Sequence, residues 1–216
     1  MELSIEKEDL ARYVTDQLNL FFPDMIRVQP GTIAEYTTVA LEDLDYCFSH
    51  VNDKYFWTGD RTLFNHLNSD QYAMFLYRLS NILFKETEDI NVSTKLFLLN
   101  KCLHGIDLFY EVELPQIFLI NHPLGTVLGR GKYSDFFIAH QKCNIGSNKD
   151  KFPKMGKYVS LHPGAAILGD CNIGKNCKIS AGSLVIDTDM KDNSVYIGMP
   201  RDHILKKSET KLDIWI

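Results

Sequence analysis

The sequence predicts an α+β chain in which a helical N-terminal region precedes a coil with flat walls. Two observations predict it: apolar residues at helical spacing over the first hundred positions, and a six-residue apolar period after position 150. A third is the change of texture at Gly105. Beyond it helical spacing fades, and glycines recur from Gly125 to Gly182.

The helices are justified in order. Within residues 5–22, Ile5, Leu10, Tyr13, Val14, Leu18 and Phe21 follow a 3.6-residue period, with Ser4 as N-cap and Pro23 as terminator. A second helix is expected over about 32–50, from Ile33, Tyr36, Val39, Ala40, Leu44 and Cys47. Asn52, Asp53, Gly59 and Asp60 mark residues 51–65 as a loop. Ser69 caps a third helix reaching Phe84, and a fourth, about 93–104, ends at Gly105. Together they make an α-helical domain of residues 1–105.

In the second half Met155, Leu161, Ile167, Ile173, Ile179 and Val185 fall every six residues. Val159, Ala165, Cys171, Cys177 and Ser183 form a second column two places ahead of them. Six matches neither the helical period nor the strand period. It fits a coil of three flat walls that sends one aliphatic side chain per wall into a triangular interior, with the small residue filling the remaining space. Glycine or asparagine is expected where the chain turns with positive φ. Cys171 and Cys177 are then interior fillers, and five cysteines without paired spacing fit reduced thiols.

Upstream, Leu108, Leu114 and Ile120 keep the step, and Val127, Tyr133, Ala139 and Ile145 keep it after a one-residue shift. The polar stretch 147–154, SNKDKFPK, reads as a projecting loop. The coil is expected over 106–205. Residues 206–216 form a tail apolar enough, through Leu212, Ile214, Trp215 and Ile216, to dock on the rest.

Charge and hydropathy exclude some functions. The chain has 216 residues with 23 Lys/Arg against 28 Asp/Glu, a net charge of −5, which argues against a general nucleic-acid binder. No stretch approaches the roughly 18 apolar residues of a membrane span. The acidic start, MELSIEKEDLARY, lacks the build of a secretory signal, so the expected location is cytoplasmic. Charge is uneven, with 11 Lys/Arg against 20 Asp/Glu in residues 1–141 and 12 against 8 in residues 142–216. A basic final third suits a small polyanion.

Several motifs carry a resemblance. They are Asp107, the run Asn121-His122-Pro123-Leu124-Gly125-Thr126-Val127-Leu128-Gly129, and Asp150-Lys151-Phe152-Pro153-Lys154-Met155. Ala166–Asp170, Lys178–Ser183 and Gly198-Met199-Pro200 continue it. In these residues the chain resembles the serine acetyltransferases of cysteine biosynthesis, hexapeptide-repeat acyltransferases built on a left-handed parallel β-helix. The resemblance covers 105–205 and implies an acetyl-CoA-dependent O-acetyltransferase. It also implies a homotrimer or a dimer of trimers with sites between neighbours.

By that resemblance His122 is the general base and Asp107, fifteen residues earlier, the carboxylate that orients it. Such a carboxylate fixes the imidazole tautomer and leaves the other nitrogen to take the acceptor's proton before attack on the thioester. Asn121, Lys151 and Phe152 are the substrate-binding candidates. Where the family carries D-R-H-P-K, this chain has Asp150-Lys151-Phe152-Pro153-Lys154. Phe152 forms no hydrogen bond, and Lys151 offers a point charge in place of a guanidinium fork, which weakens the case for serine. A phenyl ring suits a sugar face instead.

For the acyl donor, small residues that admit a ligand to the backbone nominate Gly146, Ser147, Ala181 and Gly182, with Lys178 and Arg201 for the phosphates. Asp60 and Asp70 are candidates for acceptor contacts from the helical region, with nothing in the sequence to choose them. Two alternatives differ in the acceptor or in the absence of turnover: a sugar O- or N-acetyltransferase of surface-polysaccharide assembly, and a scaffold without catalysis. A third, zinc held by His122, His140 and His162, depends on the eighteen-residue spacing of the first two. The acetyltransferase reading requires no metal.

Overall fold

The structure, a computed structural model, describes residues 1–210 and 212–216; position 211 of the expected tail lies outside them. Four helices come first: α1 (Lys7–Phe21), α2 (Pro30–Phe48), α3 (Ser69–Thr87) and α4 (Ile90–His104). Two short strands, β1 (Glu2–Leu3) and β2 (Leu63–Phe64), pair in parallel. Two-residue strands have no period to read, and β2 falls inside the segment expected to be loop.

The caps differ from expectation by a residue or two. Asn68, not Ser69, caps α3, its side chain accepting from the amides of Asp70 and Gln71. Asp89 caps α4, and Gly105 closes it with φ 65° and an amide bonded to the Lys101 carbonyl. Ser4 does not cap α1. Its hydroxyl meets His66 Nδ1 at 2.8 Å and accepts from the His66 amide, tying β1 to the far side of β2.

Beyond Gly105 the chain winds into a parallel β-helix. One wall stacks β3 (Phe118–Ile120), β5 (Phe137–Ala139), β8 (Ser160–Leu161), β11 (Lys178–Ile179) and β13 (Ser194–Ile197). A second stacks β4 (Val127–Leu128), β6 (Asn144–Gly146), β9 (Ala166–Leu168) and β12 (Leu184–Ile186). The third is shorter, with β7 (Lys154–Met155) paired to β10 (Asn172–Ile173). The strand β14 (Ile204–Lys207) folds back antiparallel on β13 and ends the first wall. The α+β class is as expected.

Both interior columns are buried along their whole length, from Met155 to Val185 and from Val159 to Ser183. Register explains the slips upstream. Leu161 pairs with Ile179 and Ile167 with Val185, eighteen residues apart, whereas Ala139 pairs with Leu161 across twenty-two. The four extra residues are taken up by the loop after Gly146. Val127, expected inside, is exposed, and its neighbour Leu128 fills the core.

Helical region and coil share one continuous core. Helix α3 is the platform between them. Tyr77 donates its hydroxyl to the Val112 carbonyl at 2.6 Å, and Asn81 donates to that of Tyr110 at 2.6 Å. The Arg78 guanidinium donates to the carbonyls of Pro115 and Gln116 and lies over the Phe118 ring. Residues 212–216 return to the helical region. Asn52 donates its amide to the Ile214 carbonyl at 2.7 Å, and Trp215 meets Phe136 edge-on.

Candidate active site

The corner between the first and second walls holds the site. In the upper coils four residues make this turn: 140–143, 162–165 and 180–183. In the first coil six residues, 121–126, make it. The two additional residues have to project outward, because the strands on either side keep their register. His122 lies in this extension with φ 55°, and its imidazole is about two-thirds exposed.

The extension is held from the helical side. Asp70, in the first turn of α3, accepts from the His122 backbone N–H at 3.1 Å through Oδ1. Its Oδ2 lies 3.9 Å from His122 Nδ1. The Asp70 side chain is only 13% exposed. An imidazolium at 122 therefore has a largely buried carboxylate beside it. A cleft of about 510 Å³ opens here, bounded by Asn121 and His122 on the coil and by Tyr55, Leu67, Ser69 and Asp70 on the helical side.

Asp107 is placed differently from expectation. It forms a parallel bridge with Val127, five residues beyond His122, and its carboxylate accepts from Lys101 Nζ at 2.6 Å. Among the described residues no hydrogen bond or ion pair joins Asp107 to His122. The reason is the lengthened corner: Asp107 lies under the wall that follows the turn, whereas His122 lies within the turn. The carboxylate in contact with His122 is Asp70. Sequence alone named it only as a possible acceptor contact, since no spacing relates position 70 to position 122. Asp60, the other nominee, is bound to Thr58 and Arg61 on the surface.

Above the extension runs a ladder of polar rings. The Asn121 amide lies 3.2 Å from His140 Nδ1, and His140 stacks on His162 with centroids 5.6 Å apart. Burial holds both imidazoles below their usual pKa, helped by His162 and His122 near His140 and by Lys178 near His162. Asn121, not His122, lies beneath His140, so the three histidines do not share a column. The eighteen-residue spacing behind the zinc alternative fails through the same corner insertion.

The remaining candidates are dispersed. Gly146 ends β6 and Ser147 follows it at one edge of the second wall, and Ala181 and Gly182 precede β12 at the other edge. They frame this wall rather than converge. Gly182 takes φ 67° with open space where a Cβ would stand, so a ligand has access to the backbone there. Lys178 is occupied, its ammonium donating to the Thr210 carbonyl of the returning segment. Arg201 is exposed in the turn before β14 with φ 82°. Lys151 and Phe152 lie across the second wall from His122, in a separate pocket of about 390 Å³.

Repeat and coil define a hexapeptide-repeat protein with a polar corner. Residues 152–187 match the family model described as bacterial transferase hexapeptide (six repeats). Among curated proteins the chain is similar to serine acetyltransferases. It is 25% identical over 146 residues to the serine acetyltransferase of Synechococcus elongatus, covering 65% of this chain and 59% of that protein. It is 32% identical over 101 residues to serine acetyltransferase 2 of Arabidopsis thaliana, covering 44% and 31%. The chain thus spans less than two thirds of these relatives' length.

Solved structures agree in fold. Neisseria gonorrhoeae serine acetyltransferase superposes with TM-score 0.71 at 18% identity, covering 94% of this chain and 80% of that one. A serine acetyltransferase in complex with CoA gives TM-score 0.71 at 16% identity, covering 94% and 86%.

Proposed function

We propose that the chain is an acetyl-CoA-dependent O-acetyltransferase with His122 as general base. The observation that carries this reading is the His122–Asp70 contact at the mouth of the cleft. An exposed imidazole on a lengthened corner, with a largely buried carboxylate behind it, can take a proton from a hydroxyl entering that cleft. The Asp70 carboxylate favours the imidazolium that forms as the hydroxyl oxygen attacks the thioester carbonyl. The collapsing intermediate expels coenzyme A as thiolate, or as thiol if the imidazolium returns the proton. The serine acetyltransferase solved with CoA supports a thioester donor for this fold.

The carboxylate expected to orient His122 was Asp107; the local geometry favours Asp70 in that role. For the acceptor, serine follows the family. Phe152 in place of the family's histidine, exposed beside Lys151, favours a sugar hydroxyl. The experiment is thiol release from acetyl-CoA with serine and with a sugar panel, using wild type and His122→Ala. Loss of release in the variant supports the reading, and unchanged release defeats it.

A further inference from the structure

The pocket around Phe152 is built from two segments that approach closely. Lys132 donates its amide to the Pro153 carbonyl at 2.9 Å, and Met155 donates to that of Lys132 at 2.8 Å. The fit is tight: a Cβ on Gly131 would stand 3.0 Å from the Pro153 oxygen. The approach brings Arg130 and Lys132 onto the same rim as Lys151 and Lys154. Two carboxylates, Asp150 and Asp170, line it as well, leaving an excess of two positive charges.

Internal countercharge is scarce. Arg130 lies 3.6 Å from Glu111. Among the described residues Lys132, Lys151 and Lys154 form no ion pair. Lysines that the backbone ladder brings together without an ion-pair partner, with Arg130 beside them, repel one another, and an external anion relieves that repulsion. The loop that carries Lys151 and leads into Lys154 is itself ordered by structure. Asn148 and Lys151 exchange backbone hydrogen bonds at 3.2 and 3.0 Å, with Lys149 and Asp150 in the left-handed region between them. Beside the cations the Phe152 ring is 38% exposed, a flat apolar surface next to a cationic rim.

From this juxtaposition we infer that the pocket binds a phosphate-bearing small molecule, its phosphoryl oxygens among these four cations and a flat ring of the same molecule against Phe152. Both a phosphorylated or nucleotide-linked sugar and coenzyme A have this chemistry. The identity of the bound molecule rests on the acetyltransferase reading, whereas the anion site itself does not.

The test is calorimetric titration of the full chain at low salt with inorganic pyrophosphate, coenzyme A and UDP-glucose. A Lys132→Ala/Lys154→Ala double variant is titrated in parallel. Both side chains project from the surface, and circular dichroism checks that the variant folds. The expected result is pyrophosphate binding that weakens about tenfold in the double variant and is unaffected by His122→Ala. Phe152→Ala then weakens whichever of coenzyme A and UDP-glucose occupies the pocket and leaves pyrophosphate unchanged, which separates the two sources. Absence of binding for all three probes, or equal binding by wild type and double variant, overturns the site. Pyrophosphate binding without any thiol release would retire the acetyltransferase reading while leaving the anion site in place.

Discussion

Asp70 and His122, fifty-two residues apart, are joined by a 3.1 Å hydrogen bond from the histidine's backbone N–H, with the ring nitrogen 3.9 Å from the second carboxylate oxygen. One side chain thereby fixes both the turn that carries the imidazole and the electrostatics around it. The first turn of a helix is a stable place for a carboxylate, because the helix dipole and free amides favour negative charge there. The site thus depends on how the helical region seats on the first coil.

His122→Ala is expected to lower turnover by about 10²–10⁴-fold, the range of a lost general base. The KM for acetyl-CoA should stay nearly constant, because the substitution removes no donor contact. Steady-state thiol release checks this.

Asp70→Asn and Asp107→Asn separate the two carboxylates. Asp70→Asn should cut kcat by about 10–100-fold, since the amide loses the charge that favours the imidazolium. Asp107→Asn should leave kcat within about threefold. Its half-exposed ion pair with Lys101 contributes under about 1 kcal/mol to stability. A larger kcat loss for Asp107→Asn than for Asp70→Asn would reverse the assignment.

His104 predicts an acid-sensitive fold. Burial depresses its pKa to about 4, and the ring donates from Nδ1 to Asn100 Oδ1 at 2.8 Å. Because the Asn100 amide nitrogen is committed to the Ala73 carbonyl, its oxygen accepts from Nδ1–H, and burial keeps the ring neutral near pH 7. Above about pH 6.5 neither folded nor unfolded histidine holds the extra proton. As pH falls from about 6.5 towards 4 the unfolded state gains it first, so stability is lost across that window. Urea midpoints at pH 7 and pH 5 should differ less for His104→Gln than for wild type.

Of the five thiols, Cys102 alone is exposed; Cys47, Cys143, Cys171 and Cys177 are buried. Burial raises the pKa of all four, that of Cys47 to about 11. A disulfide reagent should therefore titrate one thiol in the native protein and five after denaturation.

Ile167→Ala, at the centre of the second wall and fully buried, should lower unfolding free energy by about 2–5 kcal/mol. Equilibrium denaturation measures it.

Much of the fold was legible because its forces are local and repetitive. A wall of six residues puts an aliphatic side chain inside at each step, so Leu161, Ile167 and Ile179 declare themselves by spacing alone. Helix ends were legible to within about three residues, the widest misses being the end of α3 at Thr87 and the start of α4 at Ile90. The phase was lost at Val127 because periodicity cannot say which corner holds an insertion. Short strands such as β1 and β2 have no period at all.

The sequence by itself determined the coil, its filling residues and the position of a candidate histidine in the Asn121–Gly129 run. Tertiary structure decided which carboxylate accompanies that histidine, and it gathered Arg130, Lys132, Lys151 and Lys154 onto one rim. The physical reason is that hydrophobic periodicity is set by nearest neighbours along the chain, whereas a site's electrostatics depend on contacts between segments whose separation carries no period.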